Sequence, residues 1–192
     1  MTDSQIVREI KDGNIELYAE LIRRYEKKIL MFILHMLRNS HVEALAEDLT
    51  QETFYKAFKN IHSFRDVEAS FSTWLYTIAR NTVLSELRKS KNTEVYLEDN
   101  YILPKESTDR LPEQEVLRFE REDLVRQAIN NLPEKQRAAI ILREYEQLDY
   151  KEIATLLDAT VSSVKSLLFR ARNSIKDQLE YYFDDNQIKA VK

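Results

Sequence analysis

The stretch DYKEIATLLDATVSSVKSLLFRARNSIK, residues 149–176, decides how this chain folds. Asp149 followed three residues later by Glu152 is a capping-box pattern, in which Asp149 accepts from backbone amides and Glu152 reaches back to the cap. The spacing predicts a short helix over 150–157 with Ile153, Ala154 and Leu157 on its inner face. Asp158-Ala159-Thr160 then predicts a tight turn, with Asp158 in the left-handed backbone more usual for glycine. Thr160 or Ser162 can cap a second helix, read as running from Ser162 to Tyr182. On it Val164, Leu168, Ala171 and Ile175 form one stripe, and small Ala154 and Val164 allow two helices to cross closely at the turn. That is helix-turn-helix geometry.

The other face of the second helix is basic. Between Ser162 and Lys176 lie Lys165, Arg170, Arg172 and Lys176 and no acid. In a recognition helix the amino-terminal positions reach base edges in the major groove, and later cations meet phosphates. A solvated helix with cations favoured by its own macrodipole would show the same charges. The capped helix and tight turn ahead of it favour DNA binding.

Outward from this segment, composition narrows the alternatives. The 192 residues include one glycine, Gly13, where average usage near ~7% would place about thirteen. Glycine-rich phosphate loops cannot be built from it, and hairpin-rich β folds lack their turn residues. An all-α fold is expected. The chain has no cysteine, and His35, His41 and His62 have no metal-ligand spacing, so thiol and metal chemistry are not expected. Adjacent carboxylates such as Glu47-Asp48 or Asp184-Asp185 are common in a chain that is 32% charged, and no nucleophile or phosphate loop accompanies them. The expectation is a protein that is not an enzyme and needs no cofactor. The amino end is charged, and the longest apolar run, Ile29 to Leu34, falls far short of the ~20 residues that span a bilayer. A cytoplasmic, soluble protein without membrane insertion is expected.

The net charge of −4 hides an asymmetry. Residues 92–117 hold seven acids against Lys105 and Arg110, plus Pro104 and Pro112, so this segment is −5 and the rest of the chain +1. It reads as an acidic linker between two small helical domains, residues 1–91 and 118–183, with a frayed tail at 184–192. The second domain is expected to be a four-helix helix-turn-helix unit, with helices at 112–131, 134–146, 150–157 and 162–182. In the first, Ile15, Tyr18, Leu21, Ile22, Tyr25, Ile29, Phe32, Ile33 and Met36 recur at three- and four-residue steps, predicting a long helix after Gly13-Asn14. Further helices are expected over 42–61 and 72–89, joined by a loop at His62 to Phe71. Gly13 falls where a short first helix would end in a left-handed cap.

Two surfaces of the first domain stand out. In the helix over 42–61, Leu49, Thr53, Phe54, Ala57 and Phe58 point inward, leaving Asp48, Gln51, Glu52, Tyr55 and Lys56 outside. Such a face is either solvated or a protein docking surface. Phe71 to Lys89 combines aromatics, hydroxyls and amides with a basic end, Arg80 to Lys91, of net charge +3. Unstacked single-stranded bases require that combination. Trp74, Leu75 and Ile78 serve equally well as core.

Taken in order, EDLTQETFYKAFKNIHSF, FSTWLYTIARNTVLSELRK, the acidic linker and LPEKQRAAIILREYEQLDYKEIATLLDATVSSVKSLLFRARNSI resemble bacterial RNA polymerase sigma factors of the extracytoplasmic-function type, over roughly 15–91 and 117–179. The resemblance implies that Asp48, Gln51, Glu52 and Tyr55 grip the polymerase clamp helices. It implies that the loop from Ser63 to Ser70, above all Phe64, captures a base flipped from the promoter −10 element. Thr73, Tyr76, Arg80 and Asn81 would flank that base, and Arg88, Lys89 and Lys91 would hold the DNA backbone. Ser162, Ser163, Lys165, Ser166, Phe169 and Arg170 match positions that read the −35 element, with Arg172 and Lys176 on phosphates. The linker would thread polymerase near the RNA exit path.

The same resemblance implies core RNA polymerase and promoter DNA as partners, an anti-sigma factor as inhibitor, and a monomeric chain. Ser162-Ser163 stands where this family commonly has Gly-Thr, Leu167 where it has Arg, and Ser85 where it has Asp. The alternative is a conventional helix-turn-helix regulator with an amino-terminal dimerisation or ligand domain. It explains residues 132–180 but neither Asp48 to Lys56 nor Thr73 to Lys91.

Overall fold

A computed structural model describes the backbone of residues 1–37, 42–67, 69–94 and 113–189, and their side chains except at 91–94, 113–121 and 183–189. Eight α-helices follow one another among these residues: α1 (Asp3–Lys11), α2 (Tyr18–Leu37), α3 (Ala46–Lys59), α4 (Phe71–Glu94), α5 (Glu113–Asn130), α6 (Glu134–Glu144), α7 (Tyr150–Leu156) and α8 (Val161–Lys189). No strand occurs among the described residues, as the missing glycines implied.

Helix α1 starts on a capping box between Thr2 and Gln5 and buries Ile6, Val7 and Ile10. It ends in a Schellman motif. The Asn14 amide donates to the Glu9 carbonyl at 2.9 Å and the Gly13 amide to the Ile10 carbonyl at 3.1 Å, with Gly13 at φ 108°. Asp3 ties α1 to α2, accepting from Arg24 at 2.8 Å and from the Tyr25 hydroxyl. The long helix begins three residues later than its periodicity implied, because Ile15–Leu17 form a 3₁₀ turn first.

Helices α2, α3 and α4 pack against one another around Leu21, Phe32, Leu75 and Ala79. Leu49, Thr53, Phe54 and Ala57 of α3 face inward as the spacing requires, but Phe58 is 37% exposed and Thr50 is buried in its place. The Tyr18 hydroxyl donates to the Phe54 carbonyl at 2.6 Å, so the Tyr18 ring, 4.9 Å from that of Phe58, occupies the inner space. Helix α4 runs to Glu94, past the expected end at Lys89 and into the segment read as linker; α5 begins within that segment too. The remaining linker residues, 95–112, lie outside the described residues.

In the carboxyl half α8 is the spine on which α5, α6 and α7 lie. Residues Ala138 to Leu142 of α6 are all buried, as expected of a helix covered on every side. Helix α6 stops at Glu144, two residues early, where Gln147 turns left-handed at φ 56° and the Leu148 amide returns to the Leu142 carbonyl at 3.0 Å. Within the segment read as a tail, the α8 backbone runs on past Asp184 to Lys189. Between Val161 and Lys189 there is neither glycine nor proline to stop a helix.

The two halves touch. Helix α7 lies against α4 and α6 against α2, and the His35 and Tyr145 rings meet at 4.3 Å.

Candidate DNA and polymerase interfaces

The helix-turn-helix is built as its sequence predicts. The Asp149 carboxylate accepts from the amides of Lys151 at 2.7 Å and Glu152 at 2.8 Å, and Glu152 accepts from the Asp149 amide at 2.9 Å. The Glu152 amide, together with that of Lys151, holds the Asp149 carboxyl below its usual range. Helix α7 closes in a second Schellman motif, with the Ala159 amide on the Ala154 carbonyl at 2.9 Å and the Asp158 amide on the Thr155 carbonyl at 3.3 Å. Asp158 occupies the glycine position of that motif at φ 49°. Thr160 then caps α8, accepting from the Ser163 amide at 3.1 Å.

Beyond the turn, Val164, Leu168 and Ala171 are buried, and Ile175 is half-buried against them. The opposite face carries Ser162, Ser163, Lys165, Ser166, Phe169 and Arg170, all exposed. Phe169 stands 66% exposed among these polar groups, where an aromatic edge can meet bases or thymine methyls. Among the described residues no carboxylate comes within ion-pair distance of Lys165 or Arg170. Arg172 pairs with Glu144 at 2.8 Å and Lys176 with Glu180 at 3.4 Å, with every one of these side chains at least half exposed. Such pairs are worth about 0–1 kcal/mol, so a phosphate can displace the acid.

On α3, Asp48, Gln51 and Tyr55 are exposed and Glu52 is half-buried. Lys56 pairs with Glu52 at 2.7 Å, and Lys59 lies over the Tyr55 ring at 5.2 Å. Gln51 and Tyr55 border an apolar groove of about 530 Å³ between α2 and α3, lined also by Ile15, Ile22 and Phe58. The helical periodicity assigned Ile15 to the core, yet it is 59% exposed on the 3₁₀ turn. A second groove, about 650 Å³, runs between α5, α6 and α8 past Val125, Ile129, Tyr145 and Ile175. Neither is visible in the sequence, because a groove between helices leaves the apolar period of each helix intact.

Of the residues expected at the −10 element, Phe64, Thr73 and Tyr76 are buried, whereas Asn81, Arg88 and Lys89 are exposed. Phe64 is 3% exposed, its ring edge-on to Phe71 and 5.2 Å from Trp74, and its carbonyl accepts from Lys11 at 2.6 Å. It forms the floor of a cavity of about 220 Å³ lined by Ser63, Arg65, Thr73, Trp74 and Thr77, with Thr155 of α7 on one side. Thr73 and Tyr76 are each 2% exposed. Thr73 donates to Glu152 at 3.4 Å, Tyr76 to Glu146, and Arg80 to Glu134 at 2.6 Å. Burial and the Glu146 carboxylate together push the Tyr76 phenol upward. Asn81, Arg88 and Lys89 lie on exposed turns of α4, Lys89 paired with Glu86 at 3.0 Å. The Lys91 side chain is outside the described residues.

Comparison with known proteins matches residues 21–93 to sigma-70 region 2 and residues 122–175 to sigma-70 region 4. The ECF RNA polymerase sigma-E factor of Haemophilus influenzae is 36% identical over 94% of this chain and 96% of its own length. The ECF sigma factor SigW of Bacillus subtilis is 34% identical over 90% and 94%. The fold is also that of the sigma factor RpoE solved with the anti-sigma factor NepR from Bartonella quintana, at 24% identity and a TM-score of 0.63 over 85% of this chain and 96% of that one. The chain belongs to the extracytoplasmic-function group of sigma-70 factors, the subunits that direct RNA polymerase to promoters. The conventional-regulator alternative is not favoured, since region 2 takes up its amino-terminal half.

Proposed function

We propose that this chain acts as a monomeric cytoplasmic factor that binds core RNA polymerase through the α3 face of Asp48, Gln51, Glu52 and Tyr55. In this reading the −35 element is read in the major groove by Ser162, Ser163, Lys165, Ser166, Phe169 and Arg170, with Arg172 and Lys176 on phosphates. The −10 strand is held on α4 by Thr73, Tyr76, Arg80 and Asn81, with Arg88 and Lys89 along its backbone. Phe64 serves as the floor of the pocket that receives a flipped base. The protein makes and breaks no covalent bond; binding energy for unstacked bases offsets a melting cost of a few kcal/mol. An anti-sigma factor is the expected inhibitor, as the RpoE complex illustrates for that protein. No described helix is long and apolar enough to cross a membrane.

The observation that carries this reading is the pairing of the bare polar and aromatic face of α8, on a capped helix-turn-helix, with the exposed Asp48, Gln51 and Tyr55 of α3, which a conventional regulator leaves unexplained. Run-off transcription with purified core polymerase and genomic promoter fragments tests it, with discrete transcripts expected only when the chain is added. Tight duplex binding without a polymerase complex would instead support the regulator.

A further inference from the structure

Helix α1 lies outside the stretch matched to region 2, which begins at residue 21, yet it makes a contact at the −10 pocket. The Lys11 ammonium donates to the Phe64 carbonyl at 2.6 Å, across 53 residues of sequence, and stands 5.8 Å from the centre of the Phe64 ring. A lysine in the last turn of a helix ordinarily serves that helix's own terminal carbonyls. Here backbone amides already serve them, Asp12 donating to Arg8, Gly13 to Ile10 and Asn14 to Glu9. The ammonium is thereby released to reach the loop. Its helix is a fixed support, anchored by the buried Ile6, Val7 and Ile10 and by Asp3 on Arg24 and Tyr25.

Phe64 is a partition between two cavities. The one on its α4 side, about 220 Å³, is the pocket assigned above to the flipped base, and the flanking Ser63 and Arg65 line it. The other, about 230 Å³, lies on the α1 side among Ser4, Val7, Arg8, Lys11 and Asp66. Space behind the loop is room into which it can retreat. Among the described residues three ties oppose that movement: the Phe64 amide on the Ile61 carbonyl at 3.2 Å, the ring against Phe71 and Trp74, and Lys11 on the carbonyl. The Lys11 tie comes from a separate element and is charge-assisted, about twice as strong as a neutral bond. Beyond Phe64 the chain is exposed through Arg65, Asp66 and Val67.

We infer that Lys11 is a positioning residue for promoter recognition: it holds the Phe64 backbone so that the pocket keeps one shape, and that shape sharpens the choice of the flipped base. This rests on the −10 reading given above. Unstacked bases are read by hydrogen bonds at their edges, and such reading requires partners held to within about 0.5 Å. The ammonium, engaged on the carbonyl, acts through the loop and not on DNA.

Holoenzyme reconstituted from core polymerase and each full-length variant tests this on a promoter library with every −10 position randomised, a barcode in each transcript reporting its promoter. Lys11→Met keeps the length of the side chain and removes the donor. Lys11→Arg keeps charge and donor, and Arg8→Met removes the same charge one turn earlier. Thermal melts followed by circular dichroism confirm that each is folded. The parent should prefer one base strongly at one −10 position. Lys11→Met should reduce that preference roughly ten-fold, a loss in the range of one hydrogen bond to a charged group. Preferences at the other positions and dependence on the −35 element should stay as they were, Lys11→Arg should restore the lost preference, and Arg8→Met should match the parent. A loss spread evenly over the −10 positions overturns the inference, because Lys11 then supports only the fold. An equal effect of Arg8→Met also overturns it, because charge alone then suffices. Ala69→Leu, which fills the pocket, separates the two readings. If it abolishes the preference while Lys11→Met leaves it unchanged, the pocket stands and the role of Lys11 is overturned. If it leaves the preference intact, the −10 reading itself fails and takes this inference with it.

Discussion

Asp158 shows how one residue carries a structural decision. Its φ of 49° lets α7 and α8 meet at a short turn, and a side chain there usually costs about 1–2 kcal/mol, least for Asp or Asn. Asp158→Val should therefore destabilise the protein by about that amount in urea denaturation, whereas Asp158→Gly should match or exceed the parent. Asp149 carries a second decision, and its contribution has a pH signature. Its carboxyl titrates lower in the folded protein than in the unfolded chain. The stabilisation is therefore fully present above the unfolded value near ~3.9 and is lost as pH falls through the lower folded value. The melting-temperature gap between the parent and Asp149→Ala should be full at neutral pH and shrink on acidification below about pH 4. Both residues were legible in the sequence, because a cap and a left-handed turn are local events set by a few neighbours. Gln147 was not: nothing in its neighbours marks a left-handed residue, yet its φ is 56°.

At the scale of the element, apolar spacing located α2, α3, α4, α7 and α8 because each buries a single stripe. It erred where a stripe does not decide. Ile15 and Phe58 fall in register with the core but at its margin, where Tyr18 already fills the space. Periodicity cannot rank two aromatics that compete for one site. The α8 face offers a direct check of which groups read and which merely attract. Lys165→Ala or Arg170→Ala should weaken −35 duplex binding, and loss of a phosphate contact should flatten the dependence of log affinity on log salt by about 0.9 per contact. Loss of a base contact would cost about 1–3 kcal/mol at one base pair and leave that slope unchanged. Phe169→Ala should lower affinity without altering the slope, since no charge is removed. Fluorescence anisotropy across a salt series separates these outcomes.

At the scale of the whole molecule, the contacts of α7 with α4 and of α6 with α2 were not legible in the sequence. Thr73, Tyr76 and Arg80 lie 79, 70 and 54 residues from their glutamate partners. No local pattern records such pairs. Glu152 in particular reads as a helix cap, which it is; that its second oxygen also faces Thr73 depends on how the halves dock. Chemistry alone led us to expect a surface for bases on α4, and only the tertiary arrangement shows that Thr73 and Tyr76 of that helix are covered.

That seam has an optical consequence. Trp74 is the sole tryptophan of the chain, and it lines the same cavity as Thr155 of the opposite half. The protein thus carries its one tryptophan at the boundary between its halves. Excited selectively, it reports on that boundary without a label. In a Tyr145→Ala variant, which loses the ring contact with His35, emission well below the melting temperature should shift to longer wavelength and acrylamide should quench it more strongly than in the parent. Identical spectra would mean that the halves stay together.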